Sequence, residues 1–366
     1  MAQYGGFGGF GGFGGFGGFG GFGGGTNFTG LGGFLGRQDP GGYDAATTLG
    51  LQSVAEGLRH LTEAGASPTD QELPFSNPAN LSGLATWVRG SLYVSEFLAG
   101  VSAQPHDATE SEAAKVGLSF DGKSCLILHR PDQSLLREQC SYVADYATLR
   151  AERTAEITSQ LGFPTAYFAM ILGLHSAQNA KTFELITATQ VAAAHAAMIV
   201  KSHLAVRRPD QIDARLMPMI PTPGHGSFPS AHATESYAVL TVLEALLKDW
   251  NCLSDGDERI DVMRALAERI AVNRTVAGVH YPIDSWAGAT LGRIVGTIVL
   301  NRCGLIKDIT AMDYAPASHD FFDEDFRDPT IATARGLAPT GETHHLPSTP
   351  TFKWLWEHAS DEAQKV

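Results

Sequence analysis

Apolar residues recur at three- and four-residue spacing through Tyr142–Leu161, Thr165–Ala177, Thr182–Val206, Ala233–Lys248, Ile260–Ala277 and Ser285–Asn301. That period fits one face of an α-helix. Thr47–Ala64 and Asn80–Ala99 carry the same pattern. Helices this numerous predict a mainly α fold, a helical bundle formed as one domain over residues 37–366. Residues 103–115 are polar, contain Pro105 and read as a connection. Gly117–His129 alternates about Asp121-Gly122 and reads as a short hairpin. Residues 308–350, rich in Asp, Pro, Thr and His, are expected to wrap the surface. In the amphipathic stretch Thr351–Gln364, Trp354 and Trp356 are expected to dock on the body.

Residues 1–36 hold 19 of the 41 glycines and 8 of the 19 phenylalanines, mostly as a Gly-Gly-Phe repeat over 5–24. Glycine makes such a backbone costly to order, so the segment is expected to be a disordered tail that self-associates or docks weakly. The remainder has ordinary globular composition. With 26 basic against 39 acidic residues, and no basic run interleaved with aromatics, the chain is not expected to bind nucleic acid. Cys125, Cys140, Cys252 and Cys303 show neither disulfide-scaffold nor metal spacing and read as buried free thiols. Outside the tail the longest run without Asp, Glu, Lys or Arg is Ile157–Ala180, a poor membrane span at best. No secretory signal is visible at the first residues, so a cytoplasmic location is the default expectation.

Three segments carry candidate chemistry. In residues 201–209 (KSHLAVRRP), Lys201 and Arg208 stand seven apart, close to two helical turns, and are expected on one helix face as an anion-seeking pair. In residues 224–233 (GHGSFPSAHA), a small-residue loop runs into a helix with Pro229 at its start. The amides that follow, with the Ser230 hydroxyl, suit an anion, and His232 stands beside them for proton transfer. In residues 273–284, His280 and Asp284 are one helical turn apart. A carboxylate there can hold Nδ1–H and free Nε2 as a nucleophile or ligand, and Arg274 adds a third cation. Taken singly, these segments also read as a solvated basic face, a helix cap and a salt-bridged turn.

In order, K-x6-R-P, P-S-x-H and R-x5-H-x3-D resemble the signature of the superfamily that holds type 2 phosphatidic acid phosphatases, class A acid phosphatases and vanadium-dependent haloperoxidases. The resemblance spans Lys201 to Asp284. It implies that Lys201, Arg208 and Arg274 clamp the equatorial oxygens of phosphate or vanadate, with Ser230 and the Ala231 amide donating to them. It implies that His280 bonds phosphorus as nucleophile or vanadium as its single protein ligand, that Asp284 orients His280, and that His232 is the acid/base. Two positions depart from the usual pattern. Ala231 stands where the second motif has glycine, which raises crowding and the cost of a positive φ. Asn273 stands where the third motif usually opens with serine.

His225, seven residues before His232, occupies an offset where bromide-oxidising members of the vanadium family carry histidine. Residues 215–225 (RLMPMIPTPGH) and 146–155 (YATLRAERTA) also resemble bacterial haloperoxidase-like proteins. These features imply a vanadium-dependent haloperoxidase: vanadate bound at His280, hydrogen peroxide and halide as substrates with bromide favoured, Lys201 polarising the peroxide, and an organic acceptor. The alternative is a soluble acid phosphatase that hydrolyses phosphomonoesters through a phosphohistidine and needs no vanadate. A second alternative is a non-catalytic protein that self-assembles through its Gly-Gly-Phe tail. A homo-oligomer is left open.

Overall fold

The computed structural model describes residues 45–60, 74, 76–110 and 112–365. The Gly-Gly-Phe repeat, and the expectation of disorder placed on it, lie outside the described residues. In chain order the elements are α1 (Ala45–Leu58), α2 (Thr86–Ala99), β1 (Val101–His106), β2 (Lys115–Phe120), β3 (Lys123–His129), α3 (Gln133–Tyr146), α4 (Arg150–Ser159), α5 (Thr165–Leu172), α6 (Ala180–Leu204), α7 (Pro209–Ile212), α8 (Ala231–Trp250), α9 (Gly256–Val276), α10 (Pro282–Arg302), β4 (Ile309–Tyr314), α11 (Asp323–Arg327), α12 (Pro329–Ala334), β5 (Leu337–His344) and α13 (Pro350–Ser360).

The protein is mainly helical, as the periodicity predicts. Its centre is α6, alanine-rich and buried along almost its whole length, with α8 and α10 packed beside it. The α8–α10 pair is unusually close because Gly288, Gly292 and Gly296 recur every fourth residue on α10. A Cβ at Gly288 would fall 2.5 Å from the Ser230 carbonyl oxygen, and one at Gly292 would fall 2.5 Å from that of Thr234. Backbone therefore lies against backbone, and the starts of the two helices are locked: Ser230 N–H donates to the Asp284 carbonyl at 2.8 Å.

The helical bundle carries a five-stranded mixed sheet that the sequence only partly announced. Its order is β1-β2-β3-β4-β5, antiparallel throughout except for the parallel β3–β4 pair. The β2–β3 hairpin turns at Asp121-Gly122, both with positive φ as a tight hairpin of this hand requires. Two expectations fail here. Residues 103–115 are not merely a connection, because Val101–His106 is an edge strand that among the described residues pairs only with β2, where Pro105 is tolerated. Residues 308–350 do not just wrap the surface. They supply β4 and β5, and bury Tyr314, Phe321, Phe326 and Leu337. Phe321 and Phe326 meet Trp286 of α10 edge-on, with centroids 5.9 and 5.5 Å apart.

The stretch Tyr142–Leu161 is two helices, broken by a 3-10 turn at Ala147–Leu149 that no glycine or proline marks. α3 begins earlier, where the Asp132 carboxylate accepts from Leu135 N–H at 2.7 Å. The uncharged run Ile157–Ala180 is likewise no single helix: α5 stops at Gly173, whose φ is +70°. One helical stretch among the described residues, Ala180–Ile212, is long and apolar enough to cross a membrane, and 83% of its apolar window is buried inside the protein. Trp354 and Trp356 are buried as expected, and Trp250 Nε1 ties α13 down through the Ala359 carbonyl at 3.1 Å. All four cysteines are free thiols; Cys125, Cys140 and Cys303 are buried as expected, whereas Cys252 is exposed in the loop after α8.

Candidate active site

Lys201 and Arg208 meet, but not along one helix face. α6 ends at Leu204, and the chain reverses at Ala205 (φ +44°). Arg208 then stands at the N-cap of α7. Both side chains are buried. Lys201 Nζ donates to the carbonyls of Gly226 (2.7 Å) and Ser227 (2.8 Å). Arg208 Nη1 donates to the Val279 carbonyl at 2.7 Å, and its Nε to the His225 carbonyl at 3.1 Å. The first segment thus holds the loop before α8 and the loop before α10 together.

Ser230 is the N-cap of α8, and its hydroxyl accepts from Ala233 N–H at 3.4 Å. Pro229 sits one position before the cap, after a cis Phe228–Pro229 bond, rather than inside the first turn. Ala231 is the first helical residue. The described non-glycine residues with positive φ are Asp121, Ala205 and Asn251, so the backbone objection to alanine at 231 does not apply. His232 is buried, and its Nε2 lies 2.7 Å from the Gln160 carbonyl at the end of α4. A carbonyl only accepts, so Nε2 carries the proton and Nδ1 is left for chemistry.

Arg274 lies in the last turn of α9, and His280 in the loop before α10. Asp284, in the first turn of α10, reaches back: its Oδ2 accepts from His280 Nδ1 at 2.8 Å and from Tyr281 N–H at 3.1 Å. With Nδ1 protonated, the Nε2 lone pair of His280 faces Arg208 Nη1, 3.2 Å away. The loop needs Gly278, with φ +84°, where a Cβ would come within 2.5 Å of Arg150 Nη2. His225 is drawn to the rim: its Nδ1 lies 3.3 Å from Arg208 Nη2 and 2.9 Å from the Gly226 carbonyl.

Electrostatically the site calls for an anion. Burial pulls Lys201 well below its usual range, with Arg208 adding to the effect. Burial pulls Arg208 and Arg274 down to about 10. Burial and then Arg274 lower His232 to about 3, and burial and then Arg208 push His280 well below normal. Burial pushes the Asp284 carboxyl up to about 7 against the pull of Lys201 and Arg208. Each basic group here would regain its proton affinity beside a bound oxyanion.

Four residues of the site escaped the sequence reading. Gln160 supplies the carbonyl on His232, and its side-chain oxygen accepts from Asn273 Nδ2 (3.0 Å) and Arg274 Nη2 (3.3 Å). Glu156, one turn earlier on α4, accepts from Asn273 Nδ2 at 2.8 Å and pairs with Arg269 at 2.7 Å. Arg153 Nη1 donates to the Asn273 side-chain carbonyl at 3.1 Å. Asn273, where serine is usual, is therefore the bolt between α4 and α9. Glu235, one turn beyond His232 on α8, is fully buried near Lys201 and Arg274. A Glu156–Gln160 pair four apart is the one local trace of this arrangement, and nothing in it names a partner more than a hundred residues away.

Three buried cations, a helix N-terminus, one histidine aimed by a carboxylate and a second aimed by a carbonyl are thus brought together around one cage. Residues 182–304, which contain every cation and both histidines of that cage, match the PAP2 superfamily model. Over 107 residues the chain is 34% identical to the decaprenylphosphoryl-5-phosphoribose phosphatase of two Mycobacterium tuberculosis strains. The match covers 29% of this chain and 53% of the relative, so the chain spans about half the length of the curated relatives it matches.

Proposed function

We propose that this protein is a phosphoric monoester hydrolase that works through a phosphohistidine at His280. The observation that carries the reading is the alignment Asp284–His280–Arg208, in which a carboxylate holds Nδ1–H and turns the Nε2 lone pair toward a guanidinium that seeks an oxyanion. The phosphoryl group sits among Lys201, Arg208 and Arg274, with Ser230 and the Ala231 amide at the head of α8. His280 Nε2 attacks phosphorus, a P–N bond forms and the P–O bond to the leaving alcohol breaks. His232 gives that oxygen a proton. Water then attacks the phosphohistidine, His232 takes a proton from it, and phosphate leaves. The cations neutralise charge as it builds on the phosphoryl oxygens, and Asp284 stabilises the positive imidazole ring.

A phosphatase as the matched relative supports this reading over the vanadium-dependent haloperoxidase. The cage itself does not choose between them, since the same cations and His280 Nε2 suit vanadate equally well. His225 faces Arg208, a position compatible with either chemistry.

The test assays p-nitrophenyl phosphate hydrolysis without vanadate. In parallel it assays peroxide-dependent bromination after vanadate loading. Hydrolysis that leaves an acid-labile phosphoenzyme, absent from His280→Ala, is expected. Bromination without hydrolysis would overturn the phosphatase reading.

A further inference from the structure

Gln160 serves the cage twice. Its main-chain carbonyl holds His232, and its side-chain oxygen accepts from Arg274 Nη2 at 3.3 Å. A glutamine amide has one end that donates and one that accepts, and by shape alone either end fits against Arg274. Gln160 and Asn273 are fully buried, so both ends of each amide need protein partners. Those partners lie on one face of α4, where Arg153 and Glu156 stand three apart and Gln160 follows four further on, against α9.

Glu156 Oε1 lies 3.2 Å from Gln160 Nε2 and 2.8 Å from Asn273 Nδ2. Burial works against its ionisation, yet hydrogen bonds from Arg269 and Asn273 hold its carboxyl below the ordinary value. A carboxylate only accepts, so both amides turn their NH2 ends toward it. The Gln160 oxygen is then left for Asn273 Nδ2 at 3.0 Å and for Arg274. At the other end Arg153, which only donates, takes the Asn273 oxygen at 3.1 Å. A serine at 273, with one hydroxyl proton, could not donate to Glu156 and Gln160 together. The departure from the usual third motif is thus part of the same chain of contacts.

We propose that Glu156 is a positioning residue of the anion cage, whose acceptor oxygen fixes the Gln160 amide with its own oxygen toward Arg274 and so holds that guanidinium in place for an oxyanion. Glu156 acts through Gln160 and does not touch the substrate. What it supplies is an acceptor atom rather than a negative charge. His232 is outside its reach, because that histidine hangs on main chain. The proposal rests on the cage being an oxyanion site.

Sulfate binding by calorimetry and p-nitrophenyl phosphate kinetics test it together. Glu156→Gln keeps an oxygen for both amides, since the half-exposed Arg269 can swing into solvent, and its sulfate Kd should stay within about twofold of wild type. Glu156→Met deletes the acceptor and should weaken sulfate about threefold to fivefold, as Gln160→Ala does, with KM rising in step and kcat and its pH profile unchanged. The double variant Glu156→Met with Gln160→Ala should bind no more weakly than Gln160→Ala alone, because no amide is left to orient. Simple loosening of α4 on α9 would add to the loss instead. Unchanged affinity in Glu156→Met, equal losses in Glu156→Gln and Glu156→Met, or additive losses in the double variant overturn the proposal and leave the cage intact. Absence of sulfate binding in the wild-type protein overturns both. Should Glu156→Met not fold, hydrogen exchange of the Gln160 side-chain amide in wild-type protein decides the matter. Slow exchange with NOEs to Glu156 supports the proposal, and exchange as fast as that of an exposed glutamine refutes it.

Discussion

His280 and His232 face the same cage and are aimed by different means. His280 takes its orientation from Asp284, four residues on, through a side-chain contact that is completed as α10 begins. His232 takes its orientation from the backbone carbonyl of Gln160, 72 positions away, at the end of a helix that packs against α9. One aim is local and chemical, the other is long-range and architectural. A single substitution can delete the first. No side-chain substitution removes the second, because the acceptor is main chain and only a displacement of α4 would shift it.

The largest effect should follow from breaking the local aim. Asp284→Asn keeps the shape of the side chain but removes the negative charge beside His280 Nδ1. It lets the imidazole adopt the tautomer that turns a proton into the cage. We expect kcat for p-nitrophenyl phosphate to fall about 10^3-fold with little change in thermal midpoint. A drop of less than tenfold would mean that His280 is oriented by Arg208 and the loop alone.

The next effect belongs to the other histidine and is read in pH. Burial and Arg274 lower His232 to about 3, so at every pH well above that the free protein holds it neutral. The proton it gives to the leaving group must then arrive with the substrate or from solvent. Since a depressed pKa on a base means the proton is absent above that pKa, kcat/KM should fall with rising pH. The expected slope is about tenfold per unit once the substrate is mainly a dianion. A flat profile between pH 6 and 8 would show that His232 is protonated in the free protein, and that burial and Arg274 do not set its state.

Gln160→Ala sharpens the same comparison from the architectural side. The carbonyl on His232 remains, while the side-chain oxygen that steadies Arg274 and Asn273 is lost. KM should rise about threefold to fivefold through the loosened Arg274, with kcat nearly unchanged. A large loss in kcat would mean that the end of α4 moves when the side chain is removed. The long-range aim would then depend on Gln160 after all.

The difference between the two histidines also explains what could be read in advance. Lys201, Arg208, Ser230, His232, Arg274, His280 and Asp284 come together because each motif ends at a helix terminus, where polarity stands out against apolar periodicity. The central helices were legible to within four residues at their ends for the same reason. Less visible were the relations between segments. The seven-residue spacing of Lys201 and Arg208 suggested one helix face, whereas a left-handed residue at Ala205 brings them together. Gly288, Gly292 and Gly296 are small because α8 lies against them, a relation between two segments rather than within one. β1 hid behind Pro105 and β5 in a polar stretch because edge strands bury too little to leave a strong alternating pattern, whereas β4 lies inside the sheet and buries Ile309, Ala311 and Tyr314 but pairs with a β3 far away in sequence. Gln160 and Glu156 act on partners fixed only by how α4 lies on α9.

The smallest effect is expected at the position where this chain departs from the usual second motif. Had Ala231 been forced into a positive φ, glycine there would relieve strain and tighten anion binding. Instead Ala231 is the first residue of α8, in ordinary helical geometry, and is 3% exposed. The amide that the anion would use belongs to the backbone and is the same in either residue. Ala231→Gly therefore exchanges a small loss of helix preference, about 0.5–1 kcal/mol at most, for the removal of one methyl group. Phosphate affinity should change less than twofold, and the thermal midpoint should fall slightly. A gain of tenfold or more in affinity would show that the methyl crowds the bound oxyanion. It would then move the specificity of the cage from its cations to the head of α8.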